Sequence, residues 1–132
     1  MNLKEGAMDK RKNIENLRIY QESAEFSNII WSICNDWDYF TKKSIGLQLI
    51  RAADSISANI AEGYGRYFYK ENLKFCYYAR GSFEETKDWI IKAQKRNLIS
   101  SGEYKKISDF LNNFPKSLNS YIKYIRNCLN EK

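Results

Sequence analysis

The stretch RAADSISANIAEGYGR, from Arg51 to Arg66, decides the fold of this 132-residue chain. Its isoleucines and alanines recur at steps of three and four, which is the spacing of one face of a helix. Four small alanines leave room for a neighbouring helix. Two glycines at its end are the signal expected just past the last turn of a helix. The stretch therefore predicts a helix that another helix approaches closely.

The same spacing continues on both sides of this stretch and predicts four amphipathic helices joined by short links. One Pro and six Gly favour long helices over a many-turned β architecture. We predict an all-α protein, an up-down-up-down four-helix bundle over residues 16–132, preceded by a disordered or frayed tail at residues 1–15. The predicted helices span about 16–34, 44–62, 70–97 and 102–129.

Two of these helices carry capping signals at their start. Thr41 or Ser44 is the candidate N-cap of the second helix, after a link at residues 35–43. Ser100 and Glu103 have the spacing of a capping box and predict the start of the fourth helix.

Polar side chains lie on or beside the apolar stripes of the second and third helices. If these helices form a hairpin that turns near Tyr67, Asp54 faces Arg80 and Arg51 faces Glu84. Charges buried without partners cost several kcal/mol, so we expect two ion pairs that set the register. The alternative is that these charged groups line a ligand or catalytic cleft. The predicted inter-helix polar network comprises Arg51, Asp54, Asn59, Glu62, Arg80 and Glu84.

Gly81 lies in the middle of the third helix, where glycine costs about 1 kcal/mol relative to alanine. A glycine in such a position predicts the close approach of another backbone.

The residue inventory argues against catalysis and metal binding. The chain has no His, which removes the commonest general base and metal ligand. Cys34, Cys76 and Cys128 are widely separated, without the paired spacing of a zinc site. We therefore expect no catalytic residue, no metal and no cofactor. An odd number of cysteines, no secretory signal and no long apolar run predict a cytoplasmic protein without membrane contact.

The charge of the chain is positive and unevenly distributed. The net charge is +6, with an isoelectric point near 9.2. Basic residues gather at the link between the third and fourth helices, and a smaller group lies at the opposite end of the third helix. Basic patches near exposed aromatic rings suit phosphates and unpaired bases, although a charged helix face is more often only solvated. The candidate nucleic-acid contacts are Arg66, Lys70, Lys74, Lys87, Lys92, Lys95, Arg96, Lys105 and Lys106.

The turn between the second and third helices holds more aromatic rings than a turn needs. Such surplus apolar surface predicts self-association. The candidate residues of an oligomer interface are Tyr64, Tyr67, Phe68 and Tyr69.

Two long motifs carry a resemblance to a known family. QLIRAADSISANIAEGYGR (residues 48–66) and KENLKFCYYARGSFEET (residues 70–86) resemble the four-helix-bundle family of 23S rRNA intervening-sequence proteins. Ser57 stands where that family commonly has Pro, and Phe68 and Tyr69 replace polar residues. The matching positions are Gln48, Arg51, Ala52, Ser55, Ile56, Asn59, Ile60, Ala61, Glu62, Gly63, Gly65, Arg66, Lys70, Glu71, Phe75, Ala79, Gly81, Ser82 and Glu85.

This resemblance implies a left-handed up-down bundle that assembles as a ring-like homopentamer, with no catalytic activity. A more distant resemblance is to the accessory variability determinant of diversity-generating retroelements, a basic pentamer that binds nucleic acid and a reverse transcriptase. The leading hypothesis is a non-enzymatic oligomer that binds structured RNA. The alternatives are a scaffold for a protein partner, with incidental positive charge, and an enzyme that uses Asp54, Glu62, Glu84 or Arg80.

Overall fold

The computed structural model describes residues 13–130, and four long helices make up most of this range. The all-α prediction and the four helices are confirmed, and residues 13–130 contain no β-strand. Each helix is within a few residues of its predicted span. The helices are α1 (Arg18–Asn35), α2 (Leu47–Tyr64), α3 (Tyr69–Lys95) and α4 (Ser101–Asn130).

Shorter helical segments flank α1. A 3-10 turn, Ile14–Asn16, precedes it, and a helical turn, Tyr39–Thr41, and a π-helical turn, Lys42–Gly46, follow it and lead into α2. Most of the predicted N-terminal tail, residues 1–12, lies outside the described residues. So do residues 131–132, at the end of the predicted bundle domain.

The helices pack in a ring in which each of the four contacts two neighbours. Helix α1 packs against α2 and α4, and α3 packs against the same two helices. Contacts between α3 and α4 run antiparallel, because Asn72 near the start of α3 meets Tyr121 while Phe83 further along meets Phe114. This arrangement confirms a bundle. Its left-handed twist stays a prediction.

The core is a continuous apolar column with a cluster of phenylalanines in its middle. Phe26 of α1 stacks on Phe110 of α4 with ring centroids 4.2 Å apart, and Phe83 of α3 lies 4.9 Å from Phe114. Burial of large side chains from neighbouring helices supplies the main driving force for this packing. Trp31, which the spacing places on the apolar stripe of the first helix, is 56% exposed.

The helical run that leads into α2 begins earlier than predicted. The N-cap is Asp38, whose carboxylate accepts a hydrogen bond from the Thr41 backbone N–H at 2.8 Å, so Thr41 and Ser44 were the wrong candidates. This hydrogen bond holds the pKa of Asp38 below its ordinary value. The capping box at the start of α4 is confirmed, because Ser100 and Glu103 exchange hydrogen bonds at 2.9 and 3.1 Å.

Helix α3 ends at Lys95, two residues before the predicted boundary, and the residue that turns the chain there is Asn97. Its φ of 59° is left-handed, a conformation that asparagine tolerates better than most residues. The Asn97 N–H bonds the Gln94 carbonyl at 3.0 Å, and the Leu98 N–H bonds the Ala93 carbonyl at 2.9 Å. This is the Schellman arrangement, which turns the chain toward α4.

Two glycines of the motif region lie in very different surroundings. A Cβ atom on Gly63 would lie 2.4 Å from Asn72 Oδ1 and 2.8 Å from Phe75 Cβ, so α2 and α3 touch there. A Cβ atom on Gly81 would meet nothing within 4 Å. The close approach predicted at Gly81 is therefore wrong, because Gly81 faces outward from the bundle.

Candidate nucleic-acid interface

The bundle is divided into two halves of opposite charge. Helices α3 and α4, with the link between them, carry 12 Lys and Arg against 6 Asp and Glu. Residues 13–64, which include α1 and α2, carry 4 Lys and Arg against 7 Asp and Glu. Since α3 and α4 are neighbours in the ring, the positive charge is concentrated on one side of the molecule.

Three of the predicted basic residues lie together at the end formed by the α3–α4 link. Lys95 and Arg96 end α3, Lys105 lies in the first turns of α4, and all three side chains are exposed. The indole N–H of Trp37 donates a hydrogen bond to the Leu98 carbonyl at 2.9 Å. This bond connects the α3–α4 link to the α1–α2 link, so the link beside these basic residues is anchored.

Two other predicted contacts are already neutralised within the chain. Arg66 pairs with Glu62 at 3.3 Å and its guanidinium lies 4.9 Å from the centre of the Phe75 ring. Lys92 pairs with Asp88 at 2.5 Å and lies over a tryptophan ring. Carboxylate partners reduce the attraction that these cations exert on an anion.

The remaining predicted contacts are dispersed. Lys106 lines a groove between α1 and α4 with Glu22 and Glu25. Lys87 is half-buried with its ammonium 5.7 Å from the centre of the Phe83 ring. Lys70 and Lys74 are exposed on the first turns of α3.

The four aromatic residues predicted to form an oligomer interface divide into two pairs. Tyr67 and Phe68 are 54% and 49% exposed and meet edge to face, with ring centroids 4.7 Å apart. Tyr64 and Tyr69 are half-buried, and Tyr69 packs against the core. Of the four residues, Tyr67 and Phe68 are the two that leave about half of their surface exposed to solvent.

The predicted ion pairs between α2 and α3 are wrong for the described residues. Arg80 donates instead to the Asn119 amide oxygen of α4 at 2.5 Å. The pKa of Asp54 is raised by partial burial, whereas a neighbouring guanidinium would lower it. The ion pairs within residues 13–130 do not include Arg51 and Glu84, which are exposed.

The physical reason is the register of α2 against α3. In the predicted hairpin Gly63 faces residue 71 and Asn59 faces residue 75. In the structure Gly63 meets Asn72 and Phe75, and the Asn59 side chain donates to Ser82 Oγ at 3.4 Å. Contacts are therefore displaced along α3 by one turn or less at Gly63 and by about two turns at Asn59, and the side of α3 that carries Arg80 faces α4. Of the predicted network, Asn59 and Arg80 make cross-helix contacts, while Glu62 pairs within its own segment.

The structure brings Arg80, a residue of the predicted inter-helix network, together with two residues that the sequence analysis did not mark, Tyr77 and Arg126. The guanidinium groups of Arg80 of α3 and Arg126 of α4 both lie near the Tyr77 ring, at 5.7 and 5.9 Å from its centre. The Arg126 guanidinium also donates a hydrogen bond to the Tyr77 hydroxyl. No local motif signals this cluster, because Arg126 is 49 residues from Tyr77.

The polar and sulfur groups of the interior offer little reactive chemistry. Burial raises the pKa of the Cys34 and Cys76 thiols to about 12, so both are protonated at neutral pH. Within residues 13–130 no group of three potential metal ligands occurs. None of the helices in this range is both long enough and apolar enough to cross a membrane. The surface arrangement is suited to binding an anion.

Comparison with models of known protein families identifies the family of this chain. The family model described as 23S rRNA-intervening sequence protein matches residues 15–120. This match covers most of the chain, so the chain belongs to the 23S rRNA-intervening sequence protein family. No curated protein matches it significantly.

Proposed function

We propose that this protein is a non-enzymatic homo-oligomer that binds structured RNA through the α3–α4 side of its bundle. The observation that carries the proposal is the division of charge, with 12 basic against 6 acidic residues on α3 and α4 and their link. A one-sided excess of positive charge attracts the phosphate backbone independently of base sequence.

The exposed end of the basic side supports this proposal further. Lys95, Arg96 and Lys105 flank the α3–α4 link, which the Trp37–Leu98 hydrogen bond anchors. Anchored cations lose less conformational freedom when they bind an anion than cations on a mobile loop. Tyr67 and Phe68 supply an exposed aromatic surface at the opposite end for contact between copies, and membership of the family supports a pentamer.

The test of RNA binding uses a fluorescein-labelled RNA stem-loop and measures anisotropy over a series of salt concentrations. The variant K95Q/R96Q/K105Q removes three charges from the basic end, and K42Q/K43Q/R51Q removes three from the acidic half as a matched control. We expect the first variant to weaken binding and to lower the slope of log affinity against log salt by about 0.9 per lost phosphate contact. Equal losses in both variants, or no binding by the unmodified protein at low salt, would contradict the proposal.

The test of assembly is size-exclusion chromatography with light scattering, with absorbance recorded at 260 and 280 nm. A mass near five times 15.6 kDa is expected, and excess absorbance at 260 nm would identify co-purified nucleic acid. The substitutions Y67A/F68A should reduce this mass, because they remove the exposed rings. A pentamer with a clean protein spectrum that binds no RNA would favour the alternative function, a scaffold for a protein partner.

A further inference from the structure

The outer groove between α3 and α4 holds two arginines beside one tyrosine ring. The Tyr77 side chain is 40% exposed, and the guanidinium carbons of Arg80 and Arg126 lie 5.7 and 5.9 Å from its ring centre. These distances place the two guanidinium groups no more than about 12 Å apart. Both arginines are exposed, so the cluster is open to solvent.

Neutral groups hold both guanidinium groups in place. Arg80 donates to the Asn119 amide oxygen, and Arg126 donates to the Tyr77 hydroxyl. A guanidinium carries five N–H donors, so these bonds leave most donors of each group available. The bonds orient the charges and do not neutralise them.

This arrangement differs from that of other cations in the bundle. Arg18, Arg66 and Lys92 each pair with a carboxylate four residues away. Neither Arg80 nor Arg126 forms such a pair with any acidic residue in the range 13–130. Two like charges held near one ring repel each other, and an anion between them would relieve that repulsion.

Phosphate is the anion that this geometry suits. The planar fork of arginine matches two phosphate oxygens, and such charge-assisted hydrogen bonds are about twice as strong as neutral ones. The exposed Tyr77 ring adds a surface on which a base can stack. We propose that Arg80, Arg126 and Tyr77 form a binding site for a phosphate group of the RNA backbone. This assignment rests on the proposed function, and free phosphate offers the same oxygens.

The experiment compares R80Q/R126Q with K42Q/K43Q, which removes the same charge from exposed positions of the acidic half. Binding of the fluorescein-labelled RNA stem-loop is measured by anisotropy between 50 and 200 mM salt. We expect R80Q/R126Q to bind about tenfold more weakly and to lower the salt slope by about 1.8, which corresponds to two phosphate contacts at about 0.9 each. The control should change affinity by less than about threefold. Circular dichroism checks that both variants keep the helical fold.

A second measurement separates this site from RNA binding in general. Inorganic phosphate is titrated into the ¹⁵N-labelled protein while the arginine Nε–H resonances are recorded by NMR, with R80Q and R126Q used for assignment. Shifts confined to Arg80 and Arg126 would support the site even if the protein bound no RNA, in which case the proposed function fails and the ligand is a free phosphate. The site would be overturned, and the proposed function left standing, if R80Q/R126Q bound RNA as tightly as the unmodified protein. An equal loss of RNA affinity in the control K42Q/K43Q would have the same consequence. If phosphate shifts neither arginine resonance and the protein binds no RNA, both the site and the proposed function are overturned.

Discussion

Helix α3 contacts α2 on one side and α4 on the other, and the two contacts are built differently. On the α2 side the backbones touch at Gly63, and the Asn59–Ser82 hydrogen bond lies close by. On the α4 side large rings meet in the core, as in the pair Phe83 and Phe114, and long polar side chains meet outside it. The contact with α2 requires a residue without a side chain, whereas the contact with α4 is made by large and long side chains.

This difference explains why the two sides have different functional potential. Where backbones touch, little polar surface remains for a ligand. Where long side chains bridge two helices, their charged ends lie at the surface, as those of Arg80 and Arg126 do. In our proposal the α4 side of α3 is the side that binds an anion, while contacts on the α2 side set the register of the hairpin.

The largest effect is expected from removal of the ring at the centre of the α4 side. Phe83 is 1% exposed and packs against Phe110 and Phe114. The substitution F83A should lower the free energy of unfolding by about 3–5 kcal/mol, because it leaves a cavity in the core. Urea denaturation followed by circular dichroism measures this loss. The control Y78A, at an exposed position of the same helix, should cost less than about 1 kcal/mol, and equal losses would contradict the assigned core.

A methyl group at Gly63 tests the α2 side. In G63A the new Cβ would lie 2.4 Å from Asn72 Oδ1 and 2.8 Å from Phe75 Cβ, so the helices must move apart. We expect a loss of about 1–3 kcal/mol in the free energy of unfolding, which is typical of overpacking. An unchanged urea midpoint would show that the helices do not touch at this position.

The same substitution at Gly81 should act in the opposite direction. The added methyl group in G81A meets nothing within 4 Å, while alanine favours a helix more than glycine does. The free energy of unfolding should rise by about 0.5–1 kcal/mol, measured in the same urea experiment as G63A. A loss of stability would indicate that another chain packs against this outward face.

The smallest effect is expected from a substitution of Asp54, which was predicted to pair with Arg80 and does not. Because the pKa of Asp54 is raised in the folded protein, its charged form opposes folding at neutral pH. D54N should therefore raise the free energy of unfolding at pH 7, within the range of about 0.5 kcal/mol typical of surface substitutions. This gain should disappear below pH 3.8, the ordinary pKa of the group, where Asp54 is protonated in both states. A loss at pH 7 would instead support the ion pair.

Much of the secondary structure was predictable because its causes are local. The three-and-four spacing of apolar residues marked all four helices, and the reciprocal hydrogen bonds of Ser100 and Glu103 followed from their spacing alone. Local sequence patterns predicted the ends of the helices less accurately. The N-cap is Asp38, three residues before the predicted candidate Thr41, and the left-handed Asn97 ends α3 earlier than the apolar spacing predicts.

The candidate site was predicted only in part. The uneven charge and the exposed basic end were visible in the sequence, since net charge and helix position are enough to locate them. The ion pairs Asp54–Arg80 and Arg51–Glu84 could not be predicted correctly, because they depended on an assumed register that differs from the real one by up to about two turns. Lys106 likewise lies beside Glu22 and Glu25 because of the packing of α1 against α4.

The sequence by itself determined the helices, the family and the excess of positive charge, because periodicity, motif and composition are properties of the chain. Only the tertiary structure decided which glycine allows two helices to touch and which cations keep a carboxylate partner. It also brought Arg126 to Tyr77, 49 positions apart in the chain. The physical reason is that helix register and facing depend on packing between distant segments, and a displacement of one turn changes every cross-helix partner.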